Sequence, residues 1–311
     1  MTRTLFDYLG FIITAIGTLF GAIGLYLTLQ SKIPVKDLIT QITLILTIST
    51  FVFLVLFLLF LKKFIVHLRY AKSYDTISAA FSVSHKLRDS NDINDLPKCI
   101  QSLQEFCSHI NAAFTTMTNR TTSVCIKLFH IADNGDVCLQ TLCRDSKARE
   151  SQERINPEED DCIHYLSENT DFKYIFENVN KDGADYKYFM SNGLPFEDFY
   201  RNTRIDESKY PPKTKFPIVK EIRRYFAWCL PYKSTITVPI TPLTDKKITE
   251  SQIVGYLCVD SPFLWAFYPK YDIKILRGIA DGLYPTVKRV SDIHFQSVHN
   301  STKQTKKSAT K

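Results

Sequence analysis

The stretch Thr235-Ile236-Thr237-Val238-Pro239-Ile240, the polar turn Thr244-Asp245-Lys246-Lys247 and the run Ile253-Val254-Gly255-Tyr256-Leu257-Cys258-Val259-Asp260 read together as two strands joined by a turn. Downstream, a helix starting near Asp272 carries Ile275, Ile279, Leu283 and Val287 at helical spacing. Upstream, Val124-Cys125-Ile126-Lys127-Leu128-Phe129 and residues 137–143 read as another strand pair. Between them lies Asp133-Asn134-Gly135-Asp136, whose Asn-Gly pair is favoured in hairpin turns. Asn94-Asp95-Leu96-Pro97 is a helix start, with an acidic cap candidate and a proline near the first turn. Ile100, Leu103, Cys107, Ile110 and Phe114 form the apolar stripe of the helix that follows. The expected class is α+β, an antiparallel sheet with flanking helices.

Residues 144–232 are less regular. Pro157-Glu158-Glu159-Asp160-Asp161 is read as a helix start whose acidic first turn suits the helix dipole, with Ile163, Leu166, Phe172 and Ile175 on its apolar side. Tyr186, Tyr188, Phe189, Phe196, Phe199, Tyr200 and Tyr210 then fall in loop-like surroundings. A long segment this aromatic is expected to fold over a cavity or a partner. Residues 218–228 are read as either a helix or irregular.

The N-terminal part has another character. Residues 8–30 and residues 38–61 contain no charged residue, and each is long enough to cross a hydrocarbon core, which takes about 20 residues. Only Ser31-Lys32-Ile33-Pro34-Val35-Lys36-Asp37 separates them, so a transmembrane helical hairpin is expected. Arg3 before the first span and Lys62, Lys63, Arg69 and Lys72 after the second place both termini in the cytoplasm, on a multi-pass protein of the inner or plasma membrane. Gly10, Thr14, Gly17, Gly21 and Gly24 form a small-residue stripe on the first span, and Thr43, Thr47 and Thr50 lie on one stripe of the second. Such stripes let helices approach closely, within the hairpin or between chains of a homo-oligomer. A juxtamembrane helix is expected over 62–92, the sheet domain over 93–290 and a disordered basic tail over 291–311.

Charge and cysteine use agree with this layout. Residues 1–90 carry a net +5 and residues 288–311 another +5, leaving −3 on residues 91–287. A basic root and tail suit an anionic inner leaflet, and the acidic middle argues against direct nucleic-acid binding by the folded domain. The 8 cysteines form no CxxC pair and sit mainly in apolar patterns, as reduced core thiols do.

The strand ending in Val238-Pro239-Ile240, the glycine-containing strand ending in Asp260-Ser261 and the helix led by Asp272 resemble the GAF domain family. The resemblance spans about sixty residues strongly and, through the helix and hairpin of residues 96–143, extends loosely over the whole domain. It implies an antiparallel sheet of five or six strands with its terminal helices on one face. On the other face, such domains commonly form a pocket for a small ligand such as a cyclic nucleotide, a tetrapyrrole, an amino acid or a metabolite. The signature of cyclic-nucleotide-binding members is not recognisable, and Cys162 with His164 is not in the context of bilin-binding members, so no cofactor is named.

No GxSxG, Walker loop, HExxH or kinase set is present, and Asp160, Asp161, Cys162 and His164 are too few for a metal centre, so neither enzyme nor metal site is expected. Arg223, Arg224, Tyr225, Trp228 and Tyr232, just before the Val-Pro-Ile strand, are the candidate ligand residues: Trp228 to stack a base, an arginine to hold a phosphate. The expectation is a membrane-anchored GAF-like sensory or regulatory protein that signals through oligomerisation. The alternatives are a nucleotide-activated two-span effector of a bacterial anti-phage system that disrupts the inner membrane, and a scaffold that binds no ligand.

Overall fold

The computed structural model describes residues 17, 35–90, 95–131, 136–146, 164–181, 187–205, 217–242 and 248–308. The chain divides into two compact units, residues 1–68 and 69–311. The first span, apart from Gly17, lies outside the described residues, as do the turns at 132–135 and 243–247.

Helix α1 is Val35–Asp89. It contains, from Ile42, the single helix among the described residues that is long and apolar enough to cross a membrane. Its apolar side chains within the first unit are largely exposed, Phe51 and Leu59 among them. That is the arrangement expected of a helix whose surroundings are apolar.

In the second unit, helix α2 (Leu96–Thr118) begins where the sequence predicts. Asp95 is its N-cap, the carboxylate accepting from the Lys98 amide, with Pro97 in the first turn. It ends at Asn119, in the left-handed conformation that stops a helix. Strands β1 (Ser123–Ile131) and β2 (Val137–Arg144) follow, then β3 (His164–Tyr165), helix α3 (Thr170–Asn178) and β4 (Phe189–Ser191). Helix α4 (Pro217–Ala227), β5 (Ser234–Ile240), β6 (Gly255–Ser261) and helix α5 (Pro269–Ser308) complete it. The six strands form one sheet in the order β3-β2-β1-β6-β5-β4, antiparallel at every pairing.

Side chains alternate across a strand, and here the two sets meet different surroundings. Val124, Ile126 and Leu128 of β1, Ile236, Val238 and Ile240 of β5, and Leu257 and Val259 of β6 face a core completed by α2 and α5. Leu103, Phe106, Ile110 and Phe114 come from α2, and Leu276, Ile279, Leu283 and Val287 from α5. At ~1.5–3 kcal/mol for each large side chain fully buried, this face supplies most of the stabilisation. The C-terminal part of α1 packs there too: Ala80 and Leu87 are in the core, Tyr70 donates to Asp272, and Ser84 and Thr286 share a hydrogen bond of 2.9 Å. Gly255 is required by close approach, since a Cβ there would lie 2.1 Å from the Lys127 carbonyl oxygen across the ladder.

Two expectations are corrected. The helix read from Pro157 lies outside the described residues as far as Ile163. From His164 the chain is instead strand β3, paired with Cys138 and Leu139, then a 3-10 turn over Leu166–Glu168, and the helix begins only at Thr170. The ladder with β2 satisfies backbone groups of His164 and Tyr165 that a helix would otherwise have paired. At the other end, α5 continues to Ser308, through the region from 291 read as a disordered tail.

Candidate functional site

The second face of the sheet carries the polar alternates of the same strands: Cys125 and Lys127 from β1, Thr235 and Thr237 from β5, Cys258 and Asp260 from β6. Polar residues on a sheet usually meet water, but these are covered. Helix α3 lays Phe172 and Ile175 over this face, where they form a second apolar cluster with Leu139 and Tyr256. Asn202, Arg204 and Tyr232 close the remaining side from the aromatic segment. Between them lies a cavity of about 30 Å³, room for about two water molecules.

A bulge positions its cations. Ile126 pairs with Cys143 but Lys127 pairs with Thr141, so Leu142 is the extra residue of β2. Thr141 thereby stands opposite Lys127, whose Nζ donates to its hydroxyl at 3.1 Å, while Arg144 Nη2 donates to the same oxygen at 3.4 Å. Both side chains are buried, Lys127 at 6% exposure and Arg144 at 5%. Among the described residues no carboxylate lies within ion-pair distance of Lys127, and its Nζ lies 5.8 Å from the centre of the Phe172 ring. Burial pushes its pKa below the usual lysine range.

Two carboxylates share the cavity. Asp260 accepts from the Thr235 hydroxyl at 2.6 Å. Asp171, at the start of α3, accepts from the Phe172 amide at 3.0 Å, and burial pushes its pKa up to about 7. The Thr237 hydroxyl, fully buried on the cavity wall, has no hydrogen-bond partner among the described residues. Cys125 and Cys258 are direct partners in the β1–β6 ladder. The neighbouring Cys258 thiol, with help from Arg144 and Lys127, draws the Cys125 pKa down against the effect of burial, while Cys258 is pushed up.

The residues expected to bind a ligand are placed otherwise. Arg223 is exposed on α4, and Arg224 pairs with Asp198 and with the Glu197 carbonyl. Tyr225 stacks on Phe196 and accepts from Lys233. Trp228 donates to the Tyr232 carbonyl at 2.7 Å and packs on Tyr200. Tyr232 alone of the five lines the cavity. Of the packing stripes, Gly10, Thr14, Gly21 and Gly24 lie outside the described residues, and Gly17 is helical and exposed. Thr43, Thr47 and Thr50 are exposed on α1, and the hydroxyls of Thr47 and Thr50 donate to the carbonyls four residues back, as is common in apolar helices. Among the described residues no cluster of metal-ligating side chains occurs.

The antiparallel sheet, with α2 and α5 on one face and a cavity under α3 on the other, is the α+β arrangement expected from the sequence. No protein-family model matches the chain, and no curated protein matches it. Among solved structures it is similar to the GAF domain of an Acinetobacter phosphoenolpyruvate-protein phosphotransferase, at 11% identity over 69% of this chain and 91% of that one, TM-score 0.36. The GAF domain of a phosphoenolpyruvate-protein phosphotransferase from Coxiella burnetii aligns at 7% identity over 73% and 98%, TM-score 0.37. A free methionine-R-sulfoxide reductase from Neisseria meningitidis, solved in complex with its substrate, aligns at 12% identity over 72% and 92%, TM-score 0.37.

Proposed function

We propose that this is a membrane-anchored sensory or regulatory protein whose GAF-like domain binds a small anionic ligand in the cavity on the second sheet face. In this reading residues 8–30 and 38–61 form the anchoring hairpin, both termini are cytoplasmic, and the ligand acts by changing the association of chains.

The observation that carries the reading is Lys127, buried and donating to a neutral hydroxyl, with no carboxylate of the described residues within ion-pair distance. Taking an ammonium out of water costs several kcal/mol unless a counter-charge is near. An anionic group seated in the cavity supplies that charge to Lys127 and gives the Thr237 hydroxyl on the cavity wall a partner. The cavity as it stands admits a small group, so a larger ligand enters by displacing the side chains of Asn202, Arg204 or Tyr232.

Thermal unfolding of the full-length chain in detergent tests this, against phosphate, small carboxylates and cyclic mono-, di- and trinucleotides. A ligand present at about 100 times its Kd stabilises the folded chain by ~2.7 kcal/mol, seen as a raised midpoint. At least one anion is expected to give that rise. A flat response across the whole panel would count against ligand sensing and leave the scaffold.

A further inference from the structure

The cavity holds a second chemistry that anion binding does not use. Cys125 and Cys258 are register partners on adjacent antiparallel strands, and both side chains line the cavity. Residues directly opposite in such a ladder have Cα atoms about 4.5–5.5 Å apart. A disulfide needs about 4.4–6.8 Å, so the bond can close without moving a strand. Lys127, two residues along the same face, and Arg144 from β2 place cationic groups beside these sulfurs. Electropositive surroundings favour the thiolate, which is the reactive form.

The same chain contains an internal contrast. The sulfurs of Cys107 and Cys143 lie 3.9 Å apart, but on the other face of the sheet, within the apolar core. Burial there pushes the Cys107 thiol up, and neither residue lines the cavity. Both are pairs of buried cysteines on neighbouring elements; a cavity and neighbouring cations belong to one.

We propose that Cys125 and Cys258 are a peroxide-oxidisable dithiol that closes into a disulfide across the cavity floor. The oxidant is hydrogen peroxide or a small organic hydroperoxide; hydrogen peroxide, with two oxygens, matches the room for about two waters. The Cys125 thiolate attacks one peroxide oxygen, the O–O bond breaks, and the departing hydroxide or alkoxide takes up the proton that the thiol released. Cys125 is then a sulfenic acid. The Cys258 sulfur attacks the Cys125 sulfur, the S–S bond forms, and hydroxide leaves with the Cys258 proton as water. Two thiols are oxidised by two electrons, and one peroxide is reduced to water and an alcohol or a second water. Closing the bond removes the thiolate beside Lys127, so oxidation changes the charge of the cavity.

The test treats the full-length protein in detergent with hydrogen peroxide, alkylates remaining thiols under denaturing conditions, and maps non-reduced peptides by mass spectrometry. The expected product links the Cys125 and Cys258 peptides with the loss of two hydrogens and is reversed by dithiothreitol. It is expected to form at least about tenfold faster than any Cys107–Cys143 link. In Cys258→Ser, dimedone should trap a sulfenic acid at Cys125; in Cys125→Ser, Cys258 should remain a thiol. Equal rates for the two pairs would overturn the proposal. So would oxidation confined to the exposed Cys229 while Cys125 and Cys258 stay alkylatable, and the wild-type protein alone decides this if a variant fails to fold.

Discussion

Asp145→Ala is expected to lower the unfolding free energy of the full-length chain by about 3–5 kcal/mol, the loss typical when one partner of a buried charged network is removed. Asp145 is fully buried just past the end of β2. Its Oδ1 accepts from Asn111 Nδ2 at 2.8 Å, and its Oδ2 from the Ser123 hydroxyl at 3.1 Å and the Val124 amide at 2.7 Å. It therefore ties β2 to α2 and to the start of β1. Asn111 is held in turn, since its Oδ1 accepts from the Thr122 hydroxyl at 2.7 Å. Alanine takes the carboxylate away from all three of these buried donors. Asp145→Asn keeps the shape but turns an amide NH₂ toward those donors, so an intermediate loss is expected. Trp228 and Trp265 both lie in the second unit, so their fluorescence during urea unfolding reads this change directly.

The second large effect is a pH dependence. Burial raises the folded pKa of Asp171 from 3.8 to about 7. Between those values the folded chain keeps a proton that the unfolded chain releases, so stability falls as pH rises through this window, and the full penalty is present above about pH 7. The groups that bear on Asp171 are Lys127, which favours its charged form, and Asp260, which opposes it. Asp171→Asn removes the titration and retains an oxygen to accept from the Phe172 amide. At pH 8 it is expected to be more stable than the parent by about 3–4 kcal/mol, and near pH 4 the difference should vanish. Urea midpoints at the two pH values check this. An Asp171→Asn chain no more stable than the parent at pH 8 would show that Asp171 is not desolvated.

The fold was legible because its first sheet face is written in apolar residues at strand period. The runs around Val124 and Ile236 and the cap at Asp95 need no tertiary information. Gly255 was visible as part of a motif, and the structure supplies the reason, a backbone oxygen where a side chain would stand. The site was not legible, and for a physical reason. Thr235, Thr237, Lys127 and Asp260 alternate with apolar residues as they would on a strand with one face in water. Only the covering by α3 and the aromatic segment turns that wet face into a cavity. Arginine and tryptophan near Arg224 and Trp228 drew attention by residue type, yet an ion pair with Asp198 and a hydrogen bond to the Tyr232 carbonyl occupy them. Of the segment expected to fold over a cavity or partner, Tyr186 and Tyr210 lie outside the described residues, and Asn202, Arg204 and Tyr232 line the cavity.

The central claim is that Lys127 is held in the sheet for a ligand and not for the fold. The most direct measurement is the unfolding free energy of Lys127→Met beside the parent, both full-length and without added ligand. A buried ammonium that no carboxylate meets at ion-pair distance destabilises the empty protein, so an apolar side chain of similar length is expected to raise stability by about 1–4 kcal/mol. A loss of stability on the same substitution would mean that Lys127 is part of what holds the fold together, and the cavity would lose its claim to be a binding site.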